Sequence, residues 1–206
     1  MKEHAVARLG FVDLRHRFAI SEAVSPRSPF RLNWQVAREA AVLLAIMCRG
    51  DGLHVLLTRR SEHLLHHPGQ ISFPGGRIEK DDTDAVAAAM REAEEEVGLP
   101  AGRVEMLGRM GPFQTGTGFI VHTVLGFVEA PPVLRPDPRE VAGMLEVPLD
   151  LVLDMGCYRP HRLERNGQVY EGVALDYRGD RIWGATACIL HCLAEWTNGA
   201  PVRMSE

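Results

Sequence analysis

The stretch that most restricts the fold is DAVAAAMREAEEEVGLP, Asp84 to Pro100, because both ends of a helix are written into it. Asp81, Asp82, Thr83 and Asp84 offer side-chain oxygens to the first free backbone N–H groups. Gly98 can take the left-handed conformation that closes a helix, and Pro100 cannot continue one. The spacing predicts a helix over about residues 84–97. At about 100° per residue, Val86, Ala89, Met90, Ala93 and Val97 form the stripe to be buried. Glu92, Glu95 and Glu96 stand at i, i+3, i+4 on another arc, and Glu94 points away from both.

Carboxylates crowded on one arc repel each other by a few tenths of a kcal/mol per pair, roughly. A solvated acidic stripe tolerates that cost. The other reading is a site for a hard cation, Mg²⁺ or Mn²⁺, which prefers oxygen ligands. Arg91 lies four residues before Glu95 and can pair with it, holding a ligand in one rotamer.

Around this helix, AAVLLAIMC (40–48), the turn RGDG (49–52) and HVLLTRR (54–60) read as a β-hairpin with a buried strand. Residues 61–76 read as a shaped loop with little regular structure. Further β-like runs are 104–110, 119–128 and 169–177. Residues 133–141 read as a loop, 141–155 hold a short helix around Asp150, and the last helix is 184–197. In that helix Ala187, Leu190, Leu193 and Ala194 recur at helical spacing. Interleaved strands and helices give an α/β or α+β class, with a mixed sheet between helices. Residues 1–35 form an N-terminal extension with a loop or linker at Glu22–Pro29; 36–200 form the domain and 201–206 a tail.

The net charge of −4 argues against a broad basic surface for nucleic acid. A nucleotide substrate remains compatible, since a local Arg/Lys patch and bound cations can offset phosphate. Cys48, Cys157, Cys188 and Cys192 form no CxxC pair and match no zinc spacing, which predicts free thiols in a reducing compartment. The N-terminus shows no signal peptide and no apolar run approaches the ~20 residues of a membrane span. A cytoplasmic protein with no membrane partner is expected, and a homodimer is compatible with such a chain.

The run Arg91-Glu92-Ala93-Glu94-Glu95-Glu96-Val97-Gly98-Leu99 resembles the signature of the Nudix hydrolase superfamily, R-E-U-x-E-E-x-G-U, where U is apolar. Eight residues before Arg91 the general signature carries Glu, and this sequence has Thr83; the gap from Gly76 to Arg91 is also one residue longer than usual. The segment from Leu56 to Gly76, LLTRRSEHLLHHPGQISFPGG, is similar to the motif LLTxRSxxLxxHxGQxxFPGG of the coenzyme A pyrophosphatase branch, with every fixed position present. Asp82 and Ile182–Ala187 also look typical of that branch, so the resemblance spans roughly residues 38–195.

The resemblance implies an α/β/α sandwich in which Glu92, Glu95 and Glu96 bind divalent metal against a diphosphate. Either Glu95 or Glu96 would contact the metal and the attacking water. Glu140 is the candidate for a further acid from a downstream loop, the alternative being a solvated loop residue. Arg60 is the motif arginine suited to phosphate, while Arg59 reads as solvated. Ser61, His67 and Gln70 either hydrogen-bond the substrate or lock the loop. Gly69, Gly75 and Gly76 let the backbone approach phosphates closely. His63, His66 and His67 have a spacing that can mimic a transition-metal site, although Pro68 interrupts it. Gln114–Gly118 reads either as a substrate-side loop or as a plain turn.

The implied reaction is hydrolysis of coenzyme A and its derivatives to 3′,5′-ADP and 4′-phosphopantetheine. ADP-ribose, a dinucleoside polyphosphate or a nicotinamide dinucleotide are the alternative substrates. A non-catalytic nucleotide-binding module is the alternative class.

Overall fold

The computed structural model describes residues 25–30, 37–64, 66–165 and 167–199. Most of the expected N-terminal extension, its boundary near residue 35, and the tail 201–206 lie outside the described residues. In chain order the elements are β1 (Arg38–Arg49), β2 (Gly52–Arg60), β3 (Ile71–Ser72), β4 (Gly75–Arg77), α1 (Ala85–Val97), β5 (Glu105–Gln114), β6 (Phe119–Val128) and β7 (Val141–Pro148). There follow α2 (Leu149–Leu153), β8 (Tyr158–Arg165), β9 (Gln168–Tyr177), β10 (Asp180–Trp183) and α3 (Gly184–Thr197).

β1 and β2 form the expected antiparallel hairpin. β1 also runs parallel to β6, from Arg38 beside Phe119 to Met47 beside Val128. β3 and β7 pair with β2, β4 with β1, and β5 with β6, giving a mixed sheet. A second, smaller sheet is β10-β9-β8.

Side chains alternate across a strand, and β1 uses both sides. Ala41, Leu43, Ala45 and Met47 pack with Ala88, Ala89, Met90, Ala93 and Val97 of α1. Ala40, Leu44 and Ile46 join the opposite core, which α2, α3 and the small sheet complete. The large sheet therefore lies between helices, as expected of the α+β class.

The local chemistry of α1 is as written in the sequence. Asp84 Oδ1 accepts from the N–H of Val86 at 2.8 Å and of Ala87 at 2.9 Å. Gly98 sits at φ 67° and donates to the last carbonyls. Ala88, missing from the expected stripe, is fully buried, whereas Val86 is only partly so. The alanines let the helix lie close on β1.

Several strands depart from the sequence reading, among them the short β3 and β4 at the end of the stretch read as a loop. β7 occupies 141–148, where a loop and short helix are expected; the helix α2 begins only after it. β8 and β10 lie where no strand is expected from the sequence. β8, YRPHRLER, is an edge strand, and an edge tolerates charge and proline because one side of its backbone is unpaired. The last helix matches the expected 184–197. The four cysteines form no disulfide. Among the described residues no helix is long and apolar enough to cross a membrane.

Candidate active site

The Gly75–Gly76 pair brings β4 against both β1 and α1. Gly75 is at φ 152°, and a Cβ there would lie 2.4 Å from the Ala41 carbonyl oxygen and 2.6 Å from Val42 Cα. Gly76 is registered beside Ala41, on the α1 side of the sheet, and a Cβ there would meet Glu92 Oε1 at 2.4 Å. The absent side chain thus leaves the place that the Glu92 carboxylate fills.

Arg91 ties the acids together. Its Nη1 donates to Glu92 Oε1 and to Glu95 Oε2, each at 3.0 Å. Its Nε and Nη2 grip Asp82 at 3.0 and 2.9 Å, and Nη2 also reaches the Arg77 carbonyl at 3.2 Å. Hydrogen bonding to Asp82 is the largest cause raising the Arg91 pKa, and the same bond lowers that of Asp82. Asp82, considered in sequence only as a possible cap or a branch-typical residue, is the anchor of this network. Thr83 leaves no acid at the next position, and Asp82 supplies one.

Glu96 is the unusual group of the helix. It is 4% exposed, and its Oε2 has no hydrogen-bond partner. Burial pushes its carboxyl up to about 8, with the Glu92 charge adding to the shift; the Arg60 charge and the Gly75 N–H oppose it, and Glu140 raises it further. Glu92 is also raised, by burial first, against the pull of Arg91. Glu95 remains exposed, held by its ion pair. Among the described residues no three His, Cys, Asp or Glu side chains converge as a preformed metal cage. Two of the acids turn instead to Arg91. An orphaned, buried carboxylate oxygen beside a second carboxylate is nonetheless a donor set that a divalent cation fits, since a cation satisfies the lone pair and the repulsion together.

Glu140 reaches the group through backbone bonds remote in sequence. The loop after β6 returns to the end of α1, where the N–H of Arg135 donates to the Val97 carbonyl and that of Asp137 to the Glu96 carbonyl, both at 2.9 Å. Glu140 is exposed, and its own carbonyl accepts from Ser61 N–H at 2.8 Å. Its charge is felt by both Glu92 and Glu96.

The loop 61–70 is closed at its neck by Arg60 and Gln70, with the Arg60 N–H donating to the Gln70 carbonyl at 3.0 Å and the Gly69 N–H to the Arg60 carbonyl at 3.1 Å. The β2–β7 register shifts between Arg59 and Arg60, a bulge of the kind that re-aims a side chain. Arg60 faces the acids, while Arg59, expected to be solvated, pairs with Asp180 of β10. That correction has a plain cause: the second sheet places an acid across from it. Ser61 is buried at 4% exposure, its Oγ accepting from His63 N–H at 3.5 Å. His67 is exposed at φ 57°, and its carbonyl accepts from Gln70 N–H at 3.2 Å. The Gln70 amide lies by Gly184, at the start of α3. His63, His66 and His67 lie in a turn region and not on a helix.

The NUDIX domain family matches residues 37–165, well over half of the chain. This protein belongs to the Nudix family. The "Uncharacterized Nudix hydrolase NudL" of Yersinia pestis (strain Pestoides F) is 40% identical over 158 residues, covering 77% of this chain and 79% of that protein. The protein of the same name in Yersinia pseudotuberculosis serotype O:1b (strain IP 31758) matches equally. The Nudix hydrolase RenU of M. smegmatis shares the fold, with a TM-score of 0.53 and 23% identity over 90% of this chain and 99% of that one. The chain is thus a Nudix hydrolase, an enzyme for pyrophosphate-containing substrates in a family that works with divalent metal ions.

Proposed function

We propose that this Nudix hydrolase cleaves the diphosphate bond of coenzyme A and its derivatives, with Mg²⁺ or Mn²⁺, giving 3′,5′-ADP and 4′-phosphopantetheine. The observation that carries this reading is the placement of the Leu56–Gly76 segment against α1. Arg60 and Gly75, at opposite ends of its loop, both act on Glu96, and Ser61 is bonded to the residue that carries the Glu140 carboxylate. That segment bears every fixed position of the coenzyme A pyrophosphatase motif.

Glu92, Glu95 and Glu96 would hold the cation, with Arg91 fixing Glu92 and Glu95. When bound, the cation neutralises diphosphate oxygens and acidifies a water. Arg60 offers a planar, bidentate fork to a phosphate oxygen pair. Gly76 leaves room for the Glu92 carboxylate, and Gly75 lets β4 lie close on β1 with its N–H toward Glu96. Glu96, buried beside Glu92, or Glu140 at the loop edge, takes the proton from the attacking water. Ser61 and Gln70 keep the loop closed, and His67 presents its ring from an exposed turn. Such an enzyme fits a cytoplasmic pool of small-molecule substrate.

The test is incubation of the pure protein with coenzyme A and Mg²⁺ or Mn²⁺, followed by nucleotide chromatography. The expected product is 3′,5′-ADP, and its absence with both metals rejects the reading. A panel with ADP-ribose, dinucleoside polyphosphates and NADH run alongside replaces the substrate if any is preferred more than about tenfold in kcat/KM, a difference of about 1.4 kcal/mol in transition-state binding.

A further inference from the structure

Two arginines next to the glycine pair are not used by the reaction described so far. Arg38 opens β1 and Arg77 closes β4. The Arg38 guanidinium carbon lies 4.1 Å from the centroid of the Phe119 ring, and that of Arg77 lies 5.6 Å from the same centroid. Register explains the meeting: Arg77 stands beside Ala40, and Arg38 beside Phe119, so all leave the sheet on the side away from α1.

Arg38 is held in place by the loop 115–118. Its backbone N–H donates to the Gly118 carbonyl at 3.0 Å and its Nη2 to the Thr117 carbonyl at 2.9 Å. The Thr115 hydroxyl in turn accepts from the Phe119 N–H at 3.0 Å. The arginine is therefore oriented by neutral groups, with guanidinium donors to spare. Among the described residues neither Arg38 nor Arg77 is paired with a carboxylate. Two like charges gathered on one ring repel each other, and a dianion placed between them would relieve that repulsion.

Arg77 follows Gly76 directly, and its carbonyl is bonded to Arg91. Among the described residues β4 pairs only with β1, and its short span separates the acids of α1 from the two arginines. We propose that Arg38 and Arg77, on the Phe119 ring, bind a phosphate monoester of the substrate distinct from the scissile diphosphate. For the substrate proposed above this is the 3′-phosphate of the ribose, and the inference rests on that reading for the identity of the ester. The dianionic monoester matches two guanidinium charges, each able to bind it through two N–H groups.

Steady-state kinetics on coenzyme A and 3′-dephospho-coenzyme A tests this. The scissile bond is common to both. Wild type should favour coenzyme A by tenfold or more in kcat/KM, and the double variant R38Q/R77Q should lose at least tenfold of that ratio. R162Q, on β8, should leave the ratio as it is. Equal kcat/KM for the two compounds in wild type, or an unchanged ratio in a folded double variant, overturns the subsite. Calorimetric binding of 3′,5′-ADP and 5′-AMP without divalent metal separates the two ideas. If neither cofactor is cleaved but 3′,5′-ADP binds at least tenfold tighter and the variants erase the difference, the subsite stands and the coenzyme A reading falls. Equal binding of both nucleotides to wild type removes the subsite whatever the variants do.

Discussion

Replacing each glycine of the Gly75–Gly76 pair by alanine should separate the fold from the site. At Gly75 the new Cβ would collide with backbone, 2.4 Å from the Ala41 carbonyl oxygen and 2.6 Å from Val42 Cα, at a φ of 152° that side chains rarely adopt. Neither strand can yield without breaking the β1–β4 pairing. A loss of about 3 kcal/mol in unfolding free energy is expected for G75A, from combined strain and overpacking. At Gly76 the φ is not positive, and the Cβ would meet only the far end of Glu92, at 2.4 Å from Oε1. That carboxylate can swing aside, so G76A should change stability by less than about 1 kcal/mol. The swing takes Glu92 away from Arg91 and from the space beside Glu96. A displacement of about 1 Å at a reacting centre can cost about 100-fold in rate. G76A is therefore expected to fold, to melt close to wild type, and to lose about 100-fold in kcat/KM with a higher metal requirement. Denaturant unfolding and metal-titrated kinetics on both variants give the answer. Equal destabilisation of the two, or full activity in G76A, would refute the claim that the Gly76 vacancy exists for Glu92.

Glu96 gives a pH signature. Its folded value of about 8 lies above the ordinary 4.5, so the folded state binds the extra proton between those values. Metal-free stability should be full below about pH 4.5 and fall as pH rises toward about 8, with a slope of at most about 1.4 kcal/mol per pH unit. Thermal melts in chelator should show this fall in wild type and not in E96Q; identical slopes would contradict it. D82N removes the charge that grips Arg91 and should lower kcat/KM by about tenfold, since Arg91 then holds Glu92 and Glu95 less firmly. An unchanged rate would mean that Asp82 is no anchor. G98A puts a side chain at φ 67° and should cost about 1 kcal/mol, measured by denaturant midpoint, without altering the metal requirement.

Where structure is decided locally, the sequence was readable. Asp84 and Gly98 bound α1 as their chemistry demands, and the apolar spacing of 184–197 gave α3 its limits. The hairpin around Gly50–Gly52 was legible for the same reason. Decisions made by distant partners were not. β8 hides in a charged, proline-bearing run because an edge strand needs no apolar alternation. Arg59 finds Asp180 only once β10 lies beside β3. The burial of Glu96 is set by the tertiary fold, and its periodicity alone matches a solvated stripe equally well. Glu140 is a candidate only through the family resemblance, and the bonds from residues 135 and 137 to the end of α1 are what bring it near.

Those same bonds make residues 98–134 an excursion that leaves the helix at Gly98 and comes back within one peptide of it, where Arg135 meets Val97. Its outermost member, β5, is bulged twice and among the described residues pairs with β6 alone. Length changes in the 101–106 approach or at the bulges are taken up inside the excursion before the chain reaches its clamp. Insertions at those points are consequently absorbed at the far rim of the sheet while the spacing among the acids stays constant.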